Sequence, residues 1–273
     1  MKKISITIIL NLTLLSTLLS QTSVKYRSLA ESYLDSGKYQ NAKFIYDGLI
    51  QLNPFDDTSY FNRANCEFNL NDFISSIRDY TLYLILIPND PSAYYQRAYA
   101  KYENHDTTGS LKDFDSSINL DPNNSKPQMS KGIILYEIES FNEAIKSFTE
   151  VIKIDSTKSD AYYYRSYCYM NLDKYQESLA DNLKTFLLDS SISSFHLLQG
   201  KIELRMENYI GAIEDFTKYI NISPNDINGY ILRGISYYKN DDTDESFEDL
   251  SKAARMGSLR AKQLIEDYFE NEE

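Results

Sequence analysis

The sequence predicts an all-α protein made of a repeated helical hairpin. Three observations predict it: prolines at a fixed period, two small-residue positions that return in each period, and a composition rich in rings but poor in glycine. Pro54, Pro88 and Pro122 stand 34 residues apart, and further steps of 34 reach Ser156, Ser190 and Pro224. The frame divides the chain into seven repeats, 23–56, 57–90, 91–124, 125–158, 159–192, 193–226 and 227–260, without an insertion. A fixed period of this size marks a stack of supersecondary units. The 273 residues include 24 Tyr and 13 Phe but no Trp and 9 Gly, which suits helices packed through rings better than a turn-rich β architecture.

The chain opens with Met1-Lys2-Lys3, a short basic segment, and an apolar run from Ile4 to Leu19 broken only by Ser, Thr and Asn. This reads as an export signal over residues 1–22, cleaved near Ser20-Gln21 or Thr22-Ser23. A spanning helix wants about 20 apolar residues, so removal is expected over retention as an anchor. The mature protein is then expected in a periplasm or outside the cell, touching membrane only through this segment before cleavage. Net charge is −12, on 40 acidic and 28 basic residues, and loss of Lys2 and Lys3 takes it to −14. Such a chain repels a phosphate backbone, so nucleic acid is not an expected partner.

Within each repeat, the eighth place holds Ala30, Ala64, Ala98, Gly132, Ser166, Gly200 and Gly234. The twentieth holds Ala42, Ser76, Ser110, Ala144, Ser178, Ala212 and Ser246. Two small sites, one in each half of a repeat, let two helices cross tightly. Rings recur around them: Tyr26, Tyr60, Tyr94, Tyr162 and Tyr230 at the fourth place, and Tyr46, Tyr80, Phe114, Phe148 and Phe216 at the twenty-fourth, expected as knobs beside the small sites. Polar turns such as Ser36-Gly37-Lys38, Asn71-Asp72 and Glu207-Asn208 separate the helices, and several second helices end before a proline, which pushes its predecessor out of the α region.

The period, the small eighth and twentieth places, the ring at the fourth and the late proline resemble the tetratricopeptide repeat over residues 23–260. Arg63 with Asp79, Arg97 with Asp113, Arg165 with Asp181 and Arg233 with Asp249 look like a common subtype. They are expected as ion pairs inside one repeat, contributing about 0 to 1 kcal/mol each if exposed. Departures are local: Lys131, Ser147 and Gln128 in the fourth repeat, Asn182 at a ring place in the fifth, and Thr107 and Thr243 at the aromatic turn place, all expected to loosen their hairpins. After Gly257 a helix is expected to cover the last repeat, capped by Ser258 and burying Leu259, Leu264, Ile265, Tyr268 and Phe269, with an acidic tail behind it; residues 261–273 form this cap and tail.

The resemblance implies a right-handed α-solenoid of about seven helix-turn-helix repeats plus the capping helix, with the first helices lining a concave, protein-binding face. The fifth, ninth and twelfth places would point into it. They are Phe61, Asn65 and Phe68; Tyr95, Tyr99 and Tyr102; Met129, Ile133 and Tyr136; Tyr163, Tyr167 and Met170; Leu197, Lys201 and Leu204; and Ile231, Ile235 and Tyr238. The competing expectation is that these rings pack between neighbouring repeats as core. Tyr95, Tyr99, Tyr163 and Tyr167 carry the binding reading, since tyrosine offers a partner both a ring face and a hydroxyl. Some family members hold an acidic carboxy terminus with Lys, Asn and Arg at set places. Only Arg27 and Asn62 match that set here, and Glu31 stands where Asn is needed, so that function is not implied.

The expected function is a non-catalytic scaffold that binds a partner protein as an extended peptide or helix. The alternative is a structural subunit of an envelope or secretion assembly that docks through its convex face or its ends. No catalytic, metal or cofactor motif stands out, and no small-molecule substrate is expected. His105 and His196 are far apart in sequence without flanking metal-ligand spacing, and no phosphate loop or nucleophile elbow occurs. Cys66 and Cys168 share the tenth place of their repeats and are expected as free, buried thiols.

Overall fold

A computed structural model of the chain describes residues 21–190 and 194–270, and these are helices joined by short turns with no strand among them. The leader expected over residues 1–22 lies, up to residue 20, outside the described residues, as does the tail beyond residue 270. The helices are α1 (21–35), α2 (Tyr39–Leu52), α3 (Asp57–Asn69), α4 (Phe73–Leu86), α5 (Pro91–Glu103), α6 (Thr107–Leu120), α7 (Ser125–Glu137) and α8 (Phe141–Ile154). They continue with α9 (Ser159–Asn171), α10 (Tyr175–Leu188), α11 (Ser194–Arg205), α12 (Tyr209–Ile222), α13 (Ile227–Lys239), α14 (Thr243–Arg255) and α15 (Leu259–Ile265), followed by one π-turn, Glu266–Glu270. They fall into two compact halves, Met1–Pro127 and Gln128–Glu273, each a stack of hairpins. No helix among the described residues is long and apolar enough to cross a membrane.

The small places are where paired helices cross. All fourteen residues at the eighth and twentieth places are buried. In the fifth hairpin the Ser166 hydroxyl donates to the Ser178 carbonyl at 2.8 Å and the Ser178 hydroxyl donates back to the Ser166 carbonyl at 2.8 Å, so the crossing is laced through the backbone. The rings of the twenty-fourth place behave as knobs. Tyr46, Tyr80, Phe114, Phe148 and Phe216 are 0–1% exposed, and in the fourth and sixth hairpins the ring lies directly over the glycine of the facing helix.

The rings of the fourth place behave differently from expectation. Tyr60, Tyr94, Tyr162 and Tyr230 lie under the guanidinium three residues on, 5.4–6.0 Å from ring centroid to Cζ. They carry an arginine on one side, a contact their spacing did not announce. Tyr26, with no arginine three residues on, is 49% exposed.

The Arg–Asp pairs form inside one repeat, as expected. They are enclosed rather than exposed: the aspartates are 0–9% exposed and the arginines 14–18%. Each arginine also reaches beyond its own repeat. Arg165 makes a two-pronged bond to Asp181, at 2.6 and 2.8 Å, while its third nitrogen donates to Thr149 of the preceding hairpin at 3.0 Å. Arg97 reaches Thr81 and Arg233 reaches Thr217 in the same way, and Arg63 reaches Asp47. The planar fork of arginine suits this three-way clasp, which fixes both the crossing within a hairpin and the register of the next.

The turn inside each hairpin follows one backbone recipe. The fifteenth place takes a left-handed conformation in all seven repeats: Gly37, Asn71, His105, Glu139, Asp173, Glu207 and Asp241 have φ between 57° and 71°. The following N–H then donates five residues back, as from Asn208 to the Glu203 carbonyl at 2.9 Å, which closes a Schellman-type end. Only the first repeat uses glycine. A glutamate has no local compensation for φ of 62°, so Glu207→Gly is expected to raise stability by about 1 kcal/mol. Asn71→Gly should gain less, because asparagine tolerates this region. Urea denaturation of the two variants checks the ranking.

Of the departures, Asn182 is tied down through its amide nitrogen. Asn182 is fully buried and its amide donates to the Phe195 carbonyl at 3.2 Å and to Gln199 at 3.0 Å, tying α10 to α11. His196 stands at the fourth place, where a ring recurs, in the one repeat with Gln199 in the arginine place. There it meets Asp215 at 2.8 Å, and Lys218 adds a second contact at 3.3 Å. Ser258 caps α15 through the Ala261 N–H at 3.1 Å, but the helix buries Ala261 and leaves Leu259 77% exposed, against the expectation that Leu259 is covered. Cys66 and Cys168 are free and buried, and burial pushes each thiol up to about 12.

One buried carboxyl makes stability depend on pH. Glu67 is 1% exposed, with Lys43 at 3.1 Å and Arg78 at 3.8 Å, yet burial and the nearby Asp79 charge raise it to about 6. The folded state therefore holds this proton more tightly than the unfolded chain. The associated stability is complete below the ordinary glutamate range and is lost as pH rises through about 6, an effect on the order of 2 kcal/mol. Relative to a Glu67→Gln variant, the native protein should lose stability between about pH 4.5 and 7. A constant difference across that range would refute the assignment.

Candidate functional site

The thirteen residues expected to form a binding face share one property in the structure: Phe61, Asn65, Tyr95, Tyr99, Tyr102, Met129, Ile133, Tyr136, Tyr163, Tyr167, Lys201, Ile235 and Tyr238 are half-buried. Among the other residues at the same three places, Met170 and Ile231 are buried, at 7% and 4% exposure.

In the first half the face is built on α3 and α5. Phe61 packs edge-on to Tyr80 at 5.6 Å and against Tyr83 at 5.1 Å, so much of its ring belongs to the core. The Asn65 side chain accepts the Tyr80 hydroxyl, which engages it within its own hairpin. Tyr95 and Tyr99 make a T-shaped pair at 5.1 Å, and each stands edge-on to the buried Phe114, at 5.8 and 5.5 Å. Rings braced from beneath in this way are held in place without being sealed off.

The second half carries a larger ring cluster on α7 and α9. Tyr136 meets Tyr164 at 5.8 Å and Tyr167 at 6.3 Å, and Tyr163 meets Tyr167 at 5.0 Å. Tyr163 and Tyr167 lean on the buried Met170, Leu198 and Ile202, and burial raises the Tyr167 hydroxyl above the usual tyrosine range. Lys201, one hairpin on, lies over the Tyr167 ring at 5.5 Å. At the far end Tyr238 is not free. Tyr268 stacks on it at 3.8 Å with the planes 4° apart, and Phe269 stands edge-on at 5.9 Å, so the chain's own end roofs this residue.

Sequence reasoning missed three tyrosines in two roles. Tyr164, at the sixth place, stacks on the buried Phe148 at 5.6 Å and bridges it to Tyr136. Tyr83 and Tyr219, both at the twenty-seventh place, donate their hydroxyls to Asp90 and Asp226, the residues that cap the next first helices. The signal for Tyr83 and Tyr219 was available: a Tyr seven residues before an Asp that opens a helix. Among the described residues no group of three potential metal ligands comes together.

A family model for the tetratricopeptide repeat matches residues 26–56. No curated protein matches the chain at a significant level. Solved structures do. The C-terminal part of a repeat-containing protein from Cytophaga hutchinsonii superposes with a TM-score of 0.75 at 14% identity, covering 87% of this chain and 98% of that one. A tetratricopeptide repeat protein from Parabacteroides merdae gives 0.65 at 16% identity, covering 92% and 98%. YrrB, described as a tetratricopeptide protein with an unusual peptide-binding site, gives 0.59 at 19% identity, covering 67% and 95%. At these identities the likeness establishes the fold, an all-helical stack of tetratricopeptide-type hairpins.

Proposed function

We propose that this chain is a non-catalytic scaffold that holds a partner protein, as an extended segment or a helix, against the ring-bearing faces of its first helices. One observation carries the reading: Tyr95, Tyr99, Tyr163 and Tyr167 are each braced by neighbouring rings yet only half-buried. Rings fixed before a partner arrives lose little conformational freedom on binding, while a fully buried stripe would be core alone. The basic start and apolar run of residues 1–19 support export to a periplasm or to the outside as the setting. The test is affinity capture from envelope and secreted fractions with the chain and with a variant carrying Tyr95→Ala, Tyr99→Ala, Tyr163→Ala and Tyr167→Ala. A protein held by the first and lost by a variant of unchanged helicity is expected, and the bait's own mass, lacking the leader, reports export. Equal retention by both would move the site off these faces.

A second reading, a structural subunit docking by an end, has an observation of its own. The outer side of the first hairpin exposes Phe44 at 78%, Leu52 at 61% and Tyr26 at 49%, beside cavities of about 760 and 480 Å³ lined by α1 and α2. Retention of the captured protein by the tyrosine variant, with loss on Phe44→Ser and Leu52→Ser, would select it.

A further inference from the structure

The first repeat departs from the other six on one side, and the departures run in one direction. The seventh and twenty-third places hold the Arg and Asp of the clasp in four repeats, Lys131 with Ser147 in the fourth and Gln199 with Asp215 in the sixth; in the first they are Leu29 and Ile45. The twenty-second place holds Arg78, Lys112, Lys146, Ala180, Glu214 and Glu248 in the later repeats and Phe44 in the first. Leu29, Ile45 and Phe44 line one cavity together with Tyr26 and Tyr33. Leu29 is 43% exposed and Phe44 78%, so this apolar set is not there to fill a core.

A repeat stack keeps its terminal units soluble with a polar outer side. The last helices of the chain follow that rule: α15 packs on α14, and Arg260, Lys262, Gln263, Glu266 and Asp267 are exposed around Leu259. The first hairpin breaks it. The seventh place is where Arg63, Arg97, Arg165 and Arg233 reach back to the preceding hairpin. Leu29 therefore stands at a joint between hairpins, of the kind that α3 makes on α2 and α5 on α4, with no earlier repeat to complete it. An apolar joint left open to water marks a docking surface.

We propose that the outer side of the first hairpin is covered by the same side of a second copy of this chain, giving a two-fold dimer joined at its first repeats. This deepens the structural-subunit reading and rests on that side being a docking end. Three features select a second copy. The open joint calls for an apolar surface opposite Leu29, Ile45 and Phe44, and the first hairpin is itself such a surface. Residues 23–56 carry four basic side chains, Lys25, Arg27, Lys38 and Lys43, and four acidic ones, Glu31, Asp35, Asp47 and Asp56, so in a chain of net charge −12 two copies meet there without added repulsion. The charged outer side of α15 offers these residues no apolar counterpart, which disfavours a head-to-tail stack and leaves the self-matching arrangement, closed at two copies.

The experiment is sedimentation equilibrium of the full chain at concentrations on the order of 1 to 100 μM, beside Phe44→Lys, Leu29→Arg with Ile45→Asp, and Leu259→Lys. The first two variants place in the first repeat the residue types that later repeats carry, so native helicity is expected of both; should the paired variant fail to fold, Phe44→Lys at an exposed place decides alone. The native chain is expected to form dimers and nothing larger, the first-repeat variants to weaken the dimer about a hundredfold, and Leu259→Lys to leave it unchanged. A native monomer throughout, a dimer that survives Phe44→Lys, loss of the dimer on Leu259→Lys, or species that lengthen with concentration would each overturn the proposal. Capture from envelope and secreted fractions reads the docking end separately. A native monomer whose captured protein is lost on Phe44→Lys keeps the end as a docking surface for an unlike partner without the second copy, and a native monomer whose capture is unaffected overturns both.

Discussion

Gly132→Leu is expected to lower the unfolding free energy of the second half by about 3 kcal/mol, seen as an earlier urea midpoint and melting transition. Gly132 sits at the crossing of α7 and α8, where a Cβ would come within 2.6 Å of Phe148 Cε1 and 3.0 Å of its Cδ1 and Cζ. Phe148 cannot yield easily. It is 0% exposed and Tyr164 is stacked on it at 5.6 Å. A leucine must therefore spread the two helices or drive the ring from its place, and close-packed interiors resist both. The control is Gly48→Leu on α2, where a Cβ meets nothing within 4 Å. There a better helix former should raise stability by a few tenths of a kcal/mol to about 1 kcal/mol. Opposite signs at the two glycines are the expected pattern, and matching melting temperatures would refute the role given to the eighth place.

The contrast between these two glycines shows what could be read from the sequence. The crossing was legible because fourteen small residues repeat at two places, and side chains kept that small at a fixed spacing mark a close approach of backbones. Helix type and the Ser258 cap were legible for a related reason: they depend on local periodicity and on single side chains. The character of the fourth-place rings was not. A tyrosine that fills a crossing and one that lies under a guanidinium have the same spacing, and only the chain path distinguishes them. The roof over Tyr238 was hidden likewise, because the π-turn that brings Tyr268 back leaves no simple trace in a helical pattern. The candidate face lay between these cases. Its places followed from the repeat, but its partial burial depends on what packs beneath each ring, such as Phe114 under Tyr95 and Tyr99.

The enclosed clasps yield the other large effect. Arg165→Ala is expected to cost about 3 to 4 kcal/mol, far more than the 0 to 1 kcal/mol of an exposed pair. The substitution removes both prongs on Asp181, the bond to Thr149, and the cation lying against Tyr162 and Tyr169 at 5.5 and 5.8 Å. Its main penalty is what remains: Asp181, at 7% exposure, keeps its charge without a partner. Two comparisons separate this from simple loss of packing. Arg165→Met with Asp181→Leu removes the charge together with its counter-charge and should recover most of the loss, because desolvation of the pair had offset much of its attraction. Arg97→Ala should cost less than Arg165→Ala, because Lys101 also reaches Asp113, at 2.8 Å, and would still answer it. Denaturant unfolding of the three variants gives the ranking. If Arg165→Ala cost under about 1 kcal/mol, or matched Arg97→Ala, the clasp would be an ornament of the surface. The sixth hairpin argues against that: where Gln199 replaces the arginine, Asp215 is still matched, by His196 and Lys218.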